Sequence, residues 1–155
     1  MEKVTPLTES PSMVLSVDNL VNILGDLTKS VPWVDEASLI SSEGLLIAHS
    51  DMIHTDKEFL NRHAALNATV MSIGRGISRV FGQKVHQITV IYGDGNLTII
   101  NISDVILSLV THKEPTMELL FIENSGDSKE YEKFKSGIQK IHAYIKKIEK
   151  EITNS

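Results

Sequence analysis

The sequence has no cysteine, four prolines and a single tryptophan. Without cysteine there is no disulfide framework and no thiolate metal site. No apolar run approaches the roughly 18 residues that a membrane span needs. Residues 1–16 carry Glu2, Pro6, Glu9 and Pro11 and no long apolar core, which is not the pattern of a signal peptide. A cytoplasmic protein is therefore expected, and the sequons at Asn67, Asn96 and Asn101 carry no meaning on that expectation.

The motifs of common enzymes are missing too. The six histidines are His49, His54, His63, His86, His112 and His142, and none sits in a His-Glu-x-x-His pair. His49, His54 and His63 lie near Asp51 and Asp56 at a spacing that matches no ligand set. There is no phosphate-binding Gly-x-x-x-x-Gly-Lys loop, no Gly-x-Gly-x-x-Gly and no Gly-x-Ser-x-Gly elbow. Gly74-Arg75-Gly76 falls inside a helical pattern, where close helix packing is the ordinary reading. No catalytic residue, metal site or cofactor is expected.

Charge narrows the partners. The chain carries −5 overall. Residues 127–155 hold seven lysines and five acids, +2, which leaves −7 on the first 126. An acidic body argues against nucleic acid, whose binding rests on neutralised phosphates.

What is present is organised around one long helix. Thr55 with Glu58 three residues on reads as a capping box, and Gly82 can supply the left-handed residue that ends the run. The residues between, Lys57 to Phe81, would span roughly 37 Å. Leu66, Val70, Ile73, Ile77 and Val80 recur at steps of four and three, with Leu60 and Phe81 near the same stripe, and predict a buried face. A second stripe is small: Ala65, Ala68, Ser72 and Gly76. It reads either as a surface for close approach of another backbone or as good helix filler. Arg75 and Arg79 share a face at i, i+4 and could contact an acidic partner; a solvated face is the alternative.

The rest of the chain divides into a lead-in (1–15), a central domain (16–125) and a C-terminal helix (126–155). Val17, Leu20, Val21, Leu24 and Leu27 lie on one face of a first helix, with Ser16 as its cap and Pro32 stopping it near Ser30. Strands follow at Glu36–Ser41 and Leu45–Ser50, joined through Gly44. After Gly82 come Val85–Tyr92, the turn Gly93–Asn96, Leu97–Ile102 and Val105–Thr111. Leu107 and Leu109 on one face and Ile106 and Val110 on the other require a sheet covered on both sides. Thr116–Asn124 reads as a short helix or a sixth strand. Tyr131, Phe134, Ile138, Ile141, Ile145, Ile148 and Ile152 form a heptad stripe over Ser128–Ile152, either docked on its own domain or paired in a coiled coil. Trp33 stays open between core and exposed anchor.

This order of elements resembles the Roadblock/dynein light chain family. The resemblance runs from about Val17 to Val110. It rests on LGDLTKSVPWVDEASLISSEGLLIA (24–48), ALNATVMSIGRGISRVFGQ (65–83) and ITVIYGDGNLTIINISDVILSLV (88–110). It implies an α/β fold with a five-stranded antiparallel sheet in the order 2-1-5-4-3 and helices on both faces, to which this chain adds its C-terminal helix. It also implies a dimer through the long helix and the strand after it. On this chain that dimer would use Ala65, Ala68, Ser72, Gly76, Ile88 and Val90. The function implied is non-catalytic: a homodimeric platform that regulates or scaffolds a small Ras-like GTPase, as the bacterial gliding-motility GTPase activators do, with Arg75 and Arg79 as candidate partner contacts. A ligand-sensing or structural scaffold domain is the alternative, and Thr89, Thr98 and Ser108 are the polar strand residues a pocket would use.

Overall fold

The computed structural model describes residues 11–112 and 129–153. Eight elements follow in order: α1 (Pro11–Ser30), β1 (Val34–Ser41), β2 (Leu46–His49), α2 (Lys57–Phe81), β3 (Gln87–Tyr92), β4 (Gly95–Ile102), β5 (Val105–Thr111) and α3 (Lys129–Thr153). The strands form one antiparallel sheet in the order β2-β1-β5-β4-β3, as the resemblance implied. The segment Thr116–Asn124 and the linker Ser125–Ser128 lie outside the described residues.

Several boundaries move. Helix α1 begins at Pro11, not after a cap at Ser16. A proline is tolerated in the first turn because no intrahelical bond needs its N–H, so Pro11 opens the helix and does not belong to a loose lead-in. Strand β1 begins two residues earlier than expected, at Val34, and β3 two residues later, at Gln87. Helix α2 has the expected span, but its cap is Asp56, whose side chain accepts the Glu58 N–H. The Asp carboxylate replaces the Thr55 hydroxyl one residue downstream. Gly82 closes the helix at φ 68°, with its N–H donating to Ser78 O.

Because strand side chains alternate, the register assigns each residue to a face. On one face Ala37, Leu39, Ala48, Leu107 and Leu109 pack with Leu20, Leu24 and Leu27 of α1 and with Phe134, Ile141 and Ile145 of α3. On the other, Ile40, Leu97, Ile99 and Ile106 pack with Ala64 and Met71 of α2. Both faces are covered, as the two-sided apolar pattern required.

The heptad stripe of α3 docks on its own chain, which decides between the two readings of that helix. Phe134, Ile141 and Ile145 are buried and Ile138 and Ile148 half-buried. Trp33 is core: its ring centroid lies 4.9 Å from that of Phe134. At Gly137 the two helices come so close that an added Cβ would lie 2.7 Å from Leu27 Cδ1. Asn19 donates to the Tyr144 hydroxyl at 2.8 Å and Ser103 to Glu149 at 3.2 Å, tying α3 to α1 and to the β4–β5 turn.

Candidate interaction surface

Helix α2 presents a different face to the sheet from the one its apolar stripe predicted. The buried line is Leu60, Ala64, Asn67, Met71 and Gly74. Leu66, Ile73, Ile77, Val80 and Phe81 are exposed, Ile73 at 62% and Val80 at 79%, and Val70 is half-buried. Of the residues expected to face inward, Leu60 alone is fully buried. Helix periodicity shows where a stripe runs and not what covers it. The line that touches the sheet includes small residues because α2 sits low on it. At Gly74, for example, an added Cβ would lie 2.8 Å from Ile88 Cδ1.

The exposed stripe continues onto an open sheet edge. Among the described residues β3 is the last strand in the sheet, with no strand on its outer side. The register places Ile88, Val90 and Tyr92 on the α2 face, and Val90 and Tyr92 are exposed. Phe59, Leu66, Ile73, Ile77 and Val80 lie on the flank of α2 on the Ile88 side. A long exposed apolar helix flank beside an apolar edge strand is an aggregation hazard when left uncovered.

The small stripe has a second explanation inside the chain. Gly44, at φ 90° in the β1–β2 turn, sits so that an added Cβ would lie 3.3 Å from Ala68 Cβ and 3.4 Å from Ala65 Cα. Ala65 and Ala68 are small where this hairpin backbone crosses the helix. Ser72 and Gly76 continue the same stripe beyond the hairpin, Ser72 exposed and Gly76 half-buried. The six residues named for a dimer are thus not one surface. Ala65, Ala68, Ser72 and Gly76 line the hairpin side of α2, while Ile88 and Val90 belong to the β3 edge beside the apolar flank.

Arg75 and Arg79 are both exposed, and helical phase puts them about half a turn round from Ile73 and Ile77. They border a cleft of roughly 670 Å³ between the C-terminal end of α2 and the start of β3.

Between α2 and the sheet lies a polar layer that no sequence motif marks. His63 Nε2 is 3.2 Å from Ser108 Oγ, and its ring stacks on Phe59 with centroids 5.8 Å apart. Burial pushes the His63 pKa down from its ordinary 6.5. His49, fully buried on β2, has Nδ1 3.0 Å from both the N–H and the carbonyl oxygen of Asp51 and Nε2 3.3 Å from Glu36 Oε1. The hydrogen bond with His49 holds the Glu36 carboxyl below its ordinary 4.5. Among the described residues the buried hydroxyl of Ser38, between His49 and Ser108 on the same face, has no partner, and neither has the Asn67 side-chain oxygen. Asp51 accepts from the His54 N–H at 3.0 Å and from the Ile53 N–H at 3.2 Å, so it shapes the turn into α2. Among the described residues no group of three or more His, Asp or Glu could hold a metal. Thr89 and Thr98 face each other at 3.4 Å on the α1/α3 side of the sheet, and Ser108 lies on the other side. The three residues do not share a face of the sheet.

The fold is an α/β sandwich that exposes an apolar helix flank beside an edge strand. The chain belongs to the Roadblock/LC7 domain family, whose model matches residues 20–111, more than half its length. Solved structures share the fold. The gliding protein MglB of Thermus thermophilus is 16% identical, with a TM-score of 0.65 over 97% of this chain and 99% of that one. A Roadblock/LC7 domain of Streptomyces avermitilis is 20% identical, with a TM-score of 0.61 over 79% and 94%. An MglB with a tetrameric arrangement is 15% identical, with a TM-score of 0.60 over 92% of each chain. At these identities the likeness is one of fold. No curated protein matches the sequence. No described helix is long and apolar enough to cross a membrane.

Proposed function

We propose that the protein is a non-catalytic homodimeric platform that binds a small Ras-like GTPase and regulates it by contact. The observation that carries this is the exposed apolar flank of α2, running into the open β3 edge, on a Roadblock/LC7 fold. A second copy laid against that flank covers the stripe, and pairing of the two β3 edges satisfies their free backbone groups. Ile88 and Val90 lie in or beside this seam, and Ala65, Ala68, Ser72 and Gly76 flank it on the hairpin side. The MglB structures of similar fold support the choice of partner class.

A regulator without a nucleotide-binding motif acts on the switch loops of its partner, or orients groups that the GTPase already owns. Arg75 and Arg79 stand clear of the seam and are the partner contacts on this reading. The test is a titration of small Ras-like GTPases from the source organism, loaded with GDP or with a non-hydrolysable GTP analogue. Tighter binding of the GTP state is expected, because the γ-phosphate orders the switch loops. Equal affinity for both states would leave a constitutive scaffold. Binding to neither would shift the reading to a ligand-sensing or structural domain.

A further inference from the structure

Charge along this chain is placed in a way that its total conceals. From Phe59 to Gly93 there is no Asp or Glu, while Arg62, Arg75, Arg79 and Lys84 all fall there, in a chain of net charge −5. Arg62 is paired with Glu58 at 2.6 Å. The other three have no ion-pair partner among the described residues, and all three line the cleft at the C-terminal end of α2. Its floor is apolar: Met71 and Gly74 are buried and Val85 is half-buried. Its rim is cationic, with Arg75, Arg79 and Lys84 exposed.

The helix dipole accounts for one of these charges. Arg79 is in the last turn, where a cation meets the unsatisfied carbonyls. It does not account for Arg75 a turn earlier or for Lys84 past the cap. Local geometry holds the cleft open. Ser78 Oγ donates to Gly74 O (3.1 Å) and accepts the Val85 N–H (2.9 Å), so the chain leaving Gly82 is tied back to the helix.

We infer that this cleft is a docking site for an acidic peptide segment of a partner protein, one that carries an apolar side chain between its carboxylates. The two guanidinium groups match carboxylates in forked geometry. The Met71–Val85 floor takes the apolar side chain. The rest of residues 1–126 is acidic, which disfavours a ligand that is anionic over a wide area, such as nucleic acid or anionic lipid. Arg75 and Arg79 on its rim lie about half a turn round α2 from Ile73 and Ile77, so covering that flank leaves them exposed. The inference rests on Arg75 and Arg79 being partner contacts and not on the partner being a GTPase.

The test uses the full chain and a short fluorescein-labelled peptide of glutamates around a central leucine pair, titrated by anisotropy at low salt. Binding is expected to weaken by about tenfold or more in the Arg75→Glu/Arg79→Glu variant, and separately in Lys84→Glu, with circular dichroism and oligomer size unchanged. A peptide with the leucines replaced by glutamine should also bind more weakly. The inference is overturned if the charge-reversed proteins bind as well as wild type. It is overturned equally if an oligothymidylate of the same charge, or phosphatidylserine vesicles, bind as tightly as the peptide, since the cleft is then a general polyanion patch. Peptide binding in the absence of any GTPase binding would sink the proposed function and leave this inference standing; nucleotide-dependent GTPase binding unaffected by Arg75→Glu/Arg79→Glu, with no peptide bound, would do the reverse.

Discussion

Gly74 of α2 and Ile88 of β3 meet with no room for another atom: a Cβ on Gly74 would lie 2.8 Å from Ile88 Cδ1 and 3.4 Å from Val85 Cγ1. This contact sets the height of the helix over the sheet edge. It also fixes the apolar flank of α2 relative to β3, the two halves of the proposed association surface. A large residue here should lift the helix end. Gly74→Leu is expected to cost about 1–3 kcal/mol by overpacking, read from the midpoint of a urea unfolding curve. It should weaken self-association more than stability, because the two halves no longer align.

The exposed stripe gives a cleaner test of the dimer than the small residues do. Ile73 is 62% exposed and supports nothing in its own chain's core. Ile73→Asp should therefore leave the monomer folded by circular dichroism and halve the mass seen by light scattering. Ala68→Arg is the less informative change. It collides with Gly44 of the same chain, so it perturbs the hairpin as well as any partner. A dimer that survives Ile73→Asp and Ile77→Asp together would remove the stripe from the interface.

The contrast between these two residues shows how far the sequence can be read. Much is legible: the end signals give α2 its observed limits, alternation gives the strands along the chain, and the heptad marks the stripe that α3 buries, while the sheet order comes from the family resemblance alone. The assignment of faces on α2 is not. Leu66, Val70, Ile73, Ile77 and Val80 are more apolar than Leu60, Ala64, Asn67, Met71 and Gly74, and hydrophobicity alone selects the first set. The second set is inward because a helix close to a sheet needs small residues, and because Asn67 bonds the NH2 half of its amide locally, donating to His63 O at 2.6 Å. Which stripe meets the sheet is a tertiary fact. The polar layer is invisible for the same reason: His63 and Ser108 are 45 positions apart, and nothing local joins them.

That layer predicts a pH dependence. His63 has a depressed pKa in the folded state because burial disfavours its charged form; Glu36 pulls the other way and His49 adds to the depression. The unfolded chain therefore binds the proton more readily. Stability is full above the ordinary pKa of 6.5 and is lost as pH falls from there through the folded value. Glu36, also depressed, adds a second loss as pH falls below its ordinary 4.5. Urea midpoints measured from pH 8 down to about 4 should show the first decline beginning near 6.5. His63→Gln keeps a hydrogen-bonding group near Ser108 but cannot titrate there. It should flatten the upper step and leave the lower one. An unchanged upper step would place its origin in another histidine.

The contact between α1 and α3 carries the last prediction. Phe134 is buried against Trp33, with centroids 4.9 Å apart, and Leu27 lies against Gly137 one turn on. Helix α3 is also held by Ile141 and Ile145 on the same core as Leu20 and Leu24. An undocked helix would show little effect on losing one ring. A docked one should lose the transfer energy of the ring and leave a cavity behind, so Phe134→Ala is expected to cost about 3–5 kcal/mol. The native fluorescence of Trp33, the sole tryptophan, should shift to the red as its neighbour is removed. Truncation after Ser125 exposes the same face of α1 and should lower the melting temperature further or drive association through Leu20, Leu24 and Leu27. Lys147, exposed on the outer side of α3, serves as the control: Lys147→Ala should change neither the fluorescence nor the melting temperature. If Phe134→Ala behaves like that control, α3 does not rest on α1 in solution, and its heptad stripe is free for a partner.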